Sequence, residues 1–396
     1  MMRHYIHKNY NVRTRLWPTA WGMVCCAFCM MLVACSSDSD VPDEASDNQL
    51  RLASVTRATD IDGDYTFQNG SKLWLALTSG TSIDSKGIYT LEDNTDNTTT
   101  WKGGVTVKEA KQYYIYGVMS PEGIITDGTD TEPPTCTITS GDYSRRAELT
   151  IKGQPTMVAE GLVPCVVVGV RGVTDRTVAK NNWDVNEGSF GYMGVLKKGQ
   201  DNAQLLLDRL YAALSFSFDI DPDYANLRTI KLRSMTMTAA AGTKAKVDLT
   251  VELETKTNGT SPIVSVSATA VEGAGTLGSV TLFDNFEAVA NFEGVDITDL
   301  TAEKQADSNT TAGGKIKSAC FAPGVADGLM LTCVYDVYDK AGNNLGERTA
   351  KNSLSNVVTT GSLLHGQRRP IVLKVAPTYL YILSDADLDN PTITIQ

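Results

Sequence analysis

The chain has 396 residues, 42% of them hydrophobic and 20% charged, which is typical of a globular protein and argues against wholesale disorder. Its length allows two or three domains of ordinary size. Asp and Glu number 46 against 35 Lys and Arg, so the formal net charge is -11. Because nucleic-acid phosphates demand clustered cations, this balance argues against a nucleic-acid partner.

Residues 1–34 have the pattern of a secretory signal peptide. Residues 1–16 hold several Lys and Arg and no acid, and an apolar run follows from Trp17 to Ala34. A membrane-spanning helix is the alternative, although the run is near the lower length limit for a span. The residues after Cys35 are rich in Ser and Asp and have too little apolar surface to fold, which predicts a solvated tether.

Cysteine usage agrees with export. Half of the eight cysteines lie at or before Cys35. The others do not have the spacing of zinc ligands, and they are compatible with one disulfide in each half or with buried free thiols. They are Cys136, Cys165, Cys320 and Cys333, and the disulfides would join the first to the second and the third to the fourth.

Past Arg57 the sequence alternates between strand-like segments and clusters of Gly, Asn, Asp and Pro that favour turns. The one fair helix candidate, residues 202–213, is also compatible with a bulged strand. Many short strands at regular intervals predict an all-β fold. The predicted strands are 71–77, 112–118, 163–170, 214–220, 247–253, 263–270, 279–283, 329–338 and 370–375.

This pattern predicts two tandem β-sandwich domains, since about 150 residues in each half fit one sandwich with insertions. The polar segment at 186–202 is the predicted linker between them. The chain then divides into a signal peptide at 1–34, a tether and propeptide strand at 35–57, an N-terminal sandwich at 58–195, a C-terminal sandwich at 196–377 and a tail at 378–396.

The sequence holds no motif that indicates catalysis. Residues 273–278 spell GxGxxG, but a strand-like segment follows where a dinucleotide site needs a helix, so a loop is predicted. Acidic clusters at 60–64 and 385–390 lack the Gly and Glu positions of a calcium loop. His365 is the only imidazole after the signal peptide and is predicted to be a surface residue. We expect no enzyme activity, no cofactor and no metal site.

Three features together resemble the fimbrillin superfamily, the pilin subunits of type V pili. Cys35 ends a lipobox and precedes a short acidic tether. Arg57 and Ala58 lie in a Thr-Arg-Ala sequence before the first clear strand, which is similar to the processing site of the family. Residues 377–391 are similar to a C-terminal tail that is common in the superfamily.

The resemblance implies transthyretin-like sandwich domains and a lipoprotein precursor, with lipid such as palmitate on Cys35. It implies that the precursor is anchored in the outer membrane, is exposed at the cell surface, and is cut after Arg57 by an Arg-specific protease. Cleavage would release residues 35–57, in which Leu50 and Leu52 alternate as in a strand. Loss of a strand leaves an unpaired edge and an apolar groove.

The C-terminal tail is a suitable filler for that groove in another fimbrial subunit, because strand addition gains main-chain hydrogen bonds and side-chain pockets. Donor and groove are different surfaces, so the contact is head-to-tail and builds a fibre. The candidate donor residues alternate along the tail: Tyr379, Leu380, Tyr381, Ile382, Leu383, Ile393 and Ile395. The sequence therefore predicts a structural subunit of an extracellular fimbrium that contributes to adhesion.

Two alternatives remain open. Residues 378–396 can instead close their own domain, and in the family a tail that folds back marks a tip subunit. A glycan-binding surface lipoprotein that does not polymerise would instead use exposed aromatic side chains, although such residues more often lie in the core. The aromatic candidates are Trp74, Trp101, Tyr143 and Trp183.

Overall fold

The computed structural model describes residues 49–57, 69–93, 100–108, 111–120, 125–126, 128, 134–161, 163–173, 195–196, 198, 202–254, 263–284, 293–307, 314–325, 328–358, 363–379 and 386–395. The predicted signal peptide, Cys35, Ala58 and residues 380–385 lie outside these ranges. The described residues belong to one unit, which begins at Ala45. They form an all-β fold, as predicted. None of their helices is long and apolar enough to cross a membrane.

Sheet 1 consists of β1 (Arg51–Arg57), β2 (Lys72–Ser79), β3 (Ser82–Asp93), β4 (Thr100–Gly103), β5 (Tyr113–Ser120), β9 (Cys165–Val173), β10 (Val195–Leu196) and β11 (Asn202–Arg209). Its order is β1-β11-β9-β5-β2-β3-β4, and β10 pairs with β5. Buried residues occupy nearly every position of β2 and β5, so both faces of the sheet are covered. Gly80 has a φ of 58° in the turn between β2 and β3, a conformation that favours glycine.

Sheet 2 packs on one face of sheet 1. It consists of β6 (Cys136–Thr139), β7 (Arg146–Pro155), β14 (Lys246–Glu254) and β15 (Ile263–Ala270), in the order β15-β14-β7-β6. The first core lies between the two sheets and includes Trp74, Leu149 and Val251. The second core lies on the opposite face of sheet 1, where Leu50 and Val105 contribute from outside the strands.

Sheets 3 and 4 enclose the third core, which includes Phe216, Leu232 and Tyr335. Sheet 3 has the order β22-β21-β12-β18-β8 and sheet 4 the order β16-β13-β19-β20, with β17 paired to β13. Their strands are β8 (Met157–Ala159), β12 (Ala212–Ile220), β13 (Arg228–Thr238), β16 (Val280–Asp284), β17 (Val295–Asp296), β18 (Ala319–Phe321), β19 (Met330–Asp339), β20 (Asn344–Ser353), β21 (Arg368–Tyr379) and β22 (Ala386–Ile395). The helices are short: α1 (Pro222–Ala225), α2 (Ala302–Ala306) and a 3-10 turn at Ile297–Asp299.

The predicted strands are confirmed, and residues 202–213 form a strand rather than a helix. β11 covers most of that segment and has a bulge between Leu206 and Leu207 in its pairing with β9. The helical alternative is wrong because both faces of this segment are buried, Leu205 in the second core and Leu206 in the first. The GxGxxG segment precedes strand β16, as expected for a loop.

The sheets combine strands from both predicted domains. β11 follows the predicted boundary at 195/196 yet lies in sheet 1, between β1 and β9. β14 pairs with β7 in sheet 2, and β8 pairs with β18 in sheet 3. Strands therefore cross the boundary in both directions, and the division into two sandwich domains stays a prediction.

None of the four remaining cysteines forms a disulfide, and all four are buried. Cys136 and Cys165 lie in the first and second cores, on opposite faces of sheet 1. Cys320 lies in the first core and Cys333 in the third. The two sequence-adjacent pairs are thus distributed over different cores, which agrees with the alternative in which the four buried thiols are not joined by disulfides. Burial raises the pKa of the Cys333 thiol to about 12.

Candidate functional site

The segment before Arg57 forms an edge strand of sheet 1. β1 pairs in parallel with β11, from Arg51 opposite Asn202 to Arg57 opposite Leu207, with a bulge between Leu52 and Ser54. Among the described strands β11 is its only neighbour. The sequence prediction of a first strand here is confirmed. Because β1 lies at an edge, its removal would leave the rest of sheet 1 paired.

This edge strand covers apolar surface. Leu50 is 1% exposed and Val55 is 6% exposed, and both lie in the second core. In the same core, Ala203, Leu205 and Leu207 of the neighbouring strand β11 are fully buried. We call these three residues the acceptor face. Burying one Leu or Val side chain stabilises a fold by about 1.5–3 kcal/mol, so residues 50–55 contribute to the stability of the precursor.

A second set of contacts holds the chain just before β1, and we call it the clasp. The Leu50 amide donates a hydrogen bond to the Val105 carbonyl at 2.9 Å. The Tyr89 hydroxyl donates to the Leu50 carbonyl at 2.7 Å and accepts from the Val105 amide at 3.1 Å. Gln49 also forms an antiparallel bridge with Thr106. The clasp therefore fixes residues 49–50 to the segment after β4.

The Tyr89 hydroxyl is the buried polar centre of the clasp. The side chain is 1% exposed, and burial raises its pKa above the ordinary tyrosine value. The hydrogen bond that the Val105 amide donates to the hydroxyl opposes this shift. Its acceptor is a residue of the segment that cleavage after Arg57 would remove. Without Leu50, the hydroxyl would lose that acceptor and the Val105 carbonyl would lose its donor, each at a cost of about 1–3 kcal/mol.

The buried side chain of Gln204 in β11 has a carbonyl oxygen that accepts no hydrogen bond from any residue that the structure describes. Gln204 is 2% exposed, and its Oε1 has no hydrogen-bond partner among the described residues. Its Cα pairs with that of Ser54 in β1. A buried carbonyl oxygen without a donor is costly.

The C-terminal tail pairs within its own chain. β22 is antiparallel to β21, from Tyr379 opposite Ala386 to Leu373 opposite Ile395, and it forms the outer edge of sheet 3. Ile393 is 4% exposed in the third core, and Ile395 packs against that core. The Tyr335 hydroxyl donates to the Pro391 carbonyl at 3.1 Å. Leu380, Tyr381, Ile382 and Leu383 lie outside the described residues.

The self-paired tail corresponds to the alternative that the sequence left open, in which residues 378–396 close their own domain. Tyr379 ends β21, and Ile393 and Ile395 belong to β22. The alternation of 392–395 predicted a strand, and that strand is present. Its donation to a second molecule stays a prediction.

The aromatic candidates for glycan stacking lie mostly in the core. Trp74 is 1% exposed and Tyr143 is 4% exposed, both in the first core. Trp101 is half-buried against the second core. Trp183 lies outside the described residues. Stacking on a sugar needs an accessible ring face, so Trp74 and Tyr143 are not available for it.

His365 is half-buried in the turn before β21. Burial lowers its pKa, and the nearby Asp208 carboxylate opposes this shift. The imidazole therefore favours its neutral form at physiological pH. The prediction that it is a surface residue agrees with its partial exposure, and the absence of enzyme activity remains an expectation.

Comparison with known proteins gives likeness in fold only. No family model and no curated protein match the sequence. A candidate cell adhesion protein from Bacteroides uniformis has 9% identity and a TM-score of 0.40 over 89% of this chain and 99% of its own. A fimbrial protein from Bacteroides vulgatus has 10% identity and a TM-score of 0.39 over 88% and 99%. The fimbrial anchor protein Mfa2 from Porphyromonas gingivalis has 9% identity and a TM-score of 0.28 over 88% and 96%.

At identities of 10% or less and TM-scores of 0.40 or less, the likeness by itself assigns no function to this chain. The function is therefore argued below from β1, the acceptor face, the clasp and the tail.

Proposed function

We propose that the protein is a structural subunit of an extracellular fimbrium, with a role in adhesion, and that it accepts a strand of another subunit beside β11. The observation that carries this proposal is the position of β1. It is an edge strand whose one described neighbour is β11, and it ends at Arg57, the residue after which the sequence predicts cleavage.

Removal of residues up to Arg57 would make β11 the edge strand of sheet 1 and leave it as an acceptor for another strand. The edge of β11 would present unpaired N–H and C=O groups, and the acceptor face would be exposed to water. The clasp would lose Leu50, and with it the acceptor of the buried Tyr89 hydroxyl. A strand from a second subunit restores both kinds of contact, which gives the association its driving force.

The maturation route is part of the same proposal. The signal peptide and lipobox support export as a precursor with lipid on Cys35, held at the outer membrane. The acidic, Ser-rich tether after Cys35 supports exposure of the domains at the cell surface. An Arg-specific protease then cuts between Arg57 and Ala58, which separates the anchor and β1 from the mature subunit.

The C-terminal tail is the proposed donor. For donation, β22 must leave β21 and lose the burial of Ile393 and the hydrogen bond from Tyr335 to Pro391. Placing the alternate residues Ile393 and Ile395 on the acceptor face of a neighbour compensates for this loss. The exchange replaces a contact within one chain by a contact between two chains.

A terminal subunit is the second candidate, and the β21–β22 pairing favours it. A subunit whose tail remains paired with its own β21 can accept a strand at β11 but donates none. Such a molecule occupies one end of a fibre, as a tip adhesin does. The non-polymerising glycan-binding lipoprotein has less support, because Trp74 and Tyr143 are buried.

Controlled cleavage of the purified precursor tests the proposal. We expect limited digestion with an Arg-specific protease to give a mature chain that begins at Ala58 and then forms an SDS-resistant ladder. Arg57→Ala should abolish both the new N-terminus and the ladder. Arg51→Ala is the matched control, because it removes another β1 arginine and leaves the proposed cleavage site intact. A ladder formed by Arg57→Ala protein would contradict the proposal.

Labelling of fibres separates the two candidates. A stalk subunit appears along the whole fibre and gives multiples of its own mass, whereas a terminal subunit appears at one end. A chain that stops after Pro377 should fail to extend fibres if the tail is the donor. If the protein is a terminal subunit, the same truncated chain should still be incorporated at the fibre end, and thermal unfolding checks that it remains folded without Ile393 in the third core.

A further inference from the structure

The outer edge of β15, the side that faces away from β14, differs from the other sheet edges among the described residues. β15 has eight residues, all uncharged and none of them Pro, and its pairing with β14 has no register shift. Natural edge strands are usually short, charged, bulged or interrupted by Pro, because an open ladder invites another strand. β15 has none of these protections.

The other long edges have such protection. β20 carries Glu347, Arg348 and Lys351, and its pairing with β19 has a bulge. β22 contains Pro391 and two Asp, and its pairing with β21 also has a register shift. β1 contains two Arg and a register shift. The contrast is therefore specific to β15.

The hydrogen bonds between β14 and β15 show which residues of β15 direct their backbone N–H and C=O groups toward the open edge. The Val271 amide donates to the Lys246 carbonyl at 3.0 Å, in register with the β14–β15 pairs. In an antiparallel ladder, residues alternate between pointing both backbone groups at the partner and pointing both away. Residues 263, 265, 267 and 269 therefore face β14, and residues 264, 266, 268 and 270 aim their N–H and C=O groups at the open edge.

The same alternation applies to side chains. Val264, Val266 and Ala268 are partly buried against the first core, and Ser265 and Ser267 are exposed on the other face. Two copies of β15 paired antiparallel place even-numbered residues opposite even-numbered residues, so that apolar side chains meet apolar ones. In the central register Ser267 lies opposite Ser267 of the other copy. Since β15 has no charge, the copies meet without like-charge repulsion.

We propose that the open edge of β15 pairs with β15 of a second copy of this chain. The contact is a two-fold one, in which the same patch serves both partners, so it joins two four-stranded sheets into one of eight strands and then closes. It differs from uptake of a strand at β11, and it does not depend on cleavage at Arg57. In a fimbrium it would link neighbouring fibres side by side.

Sedimentation equilibrium of the full chain tests this pairing. The Arg57→Ala variant is used so that strand exchange at β11 does not contribute. We expect its mean mass to rise from one chain to two between about 1 μM and about 1 mM. Lysine at both exposed serines, Ser265→Lys with Ser267→Lys, should weaken this dimer about tenfold, because the two charges at position 267 then lie opposite each other and the two at position 265 lie close by on the same face.

Two further measurements make the test specific. Equal amounts of the double Lys variant and of Ser265→Glu with Ser267→Glu should restore the dimer, because opposite charges then face each other across the pair. Thr349→Lys with Ser353→Lys adds the same charge to exposed positions of β20 and should leave the association unchanged. Thermal unfolding of each variant checks that its monomer is folded.

Three results would overturn the proposal. The first is a monomer over the whole concentration range. The second is a dimer as strong with lysines on β15 as without them. The third is a mixture of Lys and Glu variants that associates no better than either variant alone.

Discussion

The two termini of the described chain both form edge strands, yet they are held in different ways. β1 pairs in parallel with β11, which lies about 150 residues further along the chain. Parallel neighbours cannot be joined by a tight hairpin, so the two strands are linked only by a long stretch of intervening chain. β22 pairs with the strand just before it, so it belongs to a local antiparallel pair. Cleavage after Arg57 would detach β1 completely, whereas β22 stays covalently joined to its partner strand.

This difference suits two different tasks. A strand that is held only by packing and hydrogen bonds can be replaced by the equivalent strand of another molecule once its covalent link is cut. A strand in a local pair returns quickly to its own partner, because closing a short loop costs little entropy. β1 is therefore the better candidate for removal, and β22 must compete with its own re-pairing before it can be donated.

Removal of β1 is expected to change the free energy of unfolding more than any other change considered for the two edge strands. Cleavage at Arg57 followed by removal of the released segment should lower the free energy of unfolding by about 3–6 kcal/mol, because Leu50 and Val55 no longer cover the second core. Urea unfolding of cut and uncut protein measures the loss. A synthetic peptide of residues 49–57 should restore most of it, and a peptide with residues 49–57 in scrambled order is the control.

The outcome that would contradict this expectation is equal stability of the cut and uncut protein at a concentration too low for oligomers. Residues 49–57 would then contribute no net stability to sheet 1, and the acceptor face would not need a replacement strand.

The next largest loss of stability is expected from truncating one side chain of the same segment, that of Leu50. Leu50→Ala should lower the free energy of unfolding of the precursor by about 2–5 kcal/mol, since it removes a fully buried side chain and leaves a cavity. Leu364→Ala is the matched control, because that leucine is 60% exposed and its loss should change stability by less than about 0.5 kcal/mol. Chemical denaturation measures both, and similar values for the two variants would refute the role of Leu50.

The sequence predicts both edge strands because their alternation is local. Leu50 and Leu52 indicate a strand at the N-terminus, and Ile393 and Ile395 indicate one at the C-terminus. The partner of each strand was not predictable, because an alternating strand offers the same backbone groups to any open edge. Whether β22 pairs with its own β21 or with a strand of a second molecule depends on which unpaired strand edge lies close to the tail in the folded protein, and the local sequence does not contain that information.

The clasp and the cysteines show the same limit at the level of single residues. Tyr89 lies 39 residues from Leu50, and nothing in the local pattern distinguishes it from a core tyrosine without a polar role. Cys136 and Cys165 have a spacing that allows a disulfide, but Cys136 lies in the first core on sheet 2, whereas Cys165 belongs to sheet 1 and lies in the second core on its other face. Sequence spacing does not report which face of a doubly covered sheet a residue occupies.

Tyr89→Phe tests the polar part of the clasp. The variant retains the ring in the second core but leaves the Leu50 carbonyl and the Val105 amide without the hydroxyl between them. We expect a loss of about 1–3 kcal/mol in the precursor, measured by urea unfolding. After cleavage the Leu50 carbonyl is absent, so the same substitution should cost less in the cut protein. An equal loss in both forms would show that the hydroxyl does not act through the N-terminal segment.

The smallest expected loss of stability comes from a substitution in β22, the other edge strand of the comparison. Ile393→Val removes one buried methylene from the third core and should lower stability by about 0.5–1.5 kcal/mol, in cut and uncut protein alike. If β22 is also the donor strand, the substitution weakens both its own pairing and its pairing with a neighbour, so the yield of the SDS-resistant ladder should change little. A tail that stays on β21 gives the same stability loss but no ladder. A loss confined to the cut protein would contradict the burial of Ile393 in its own chain.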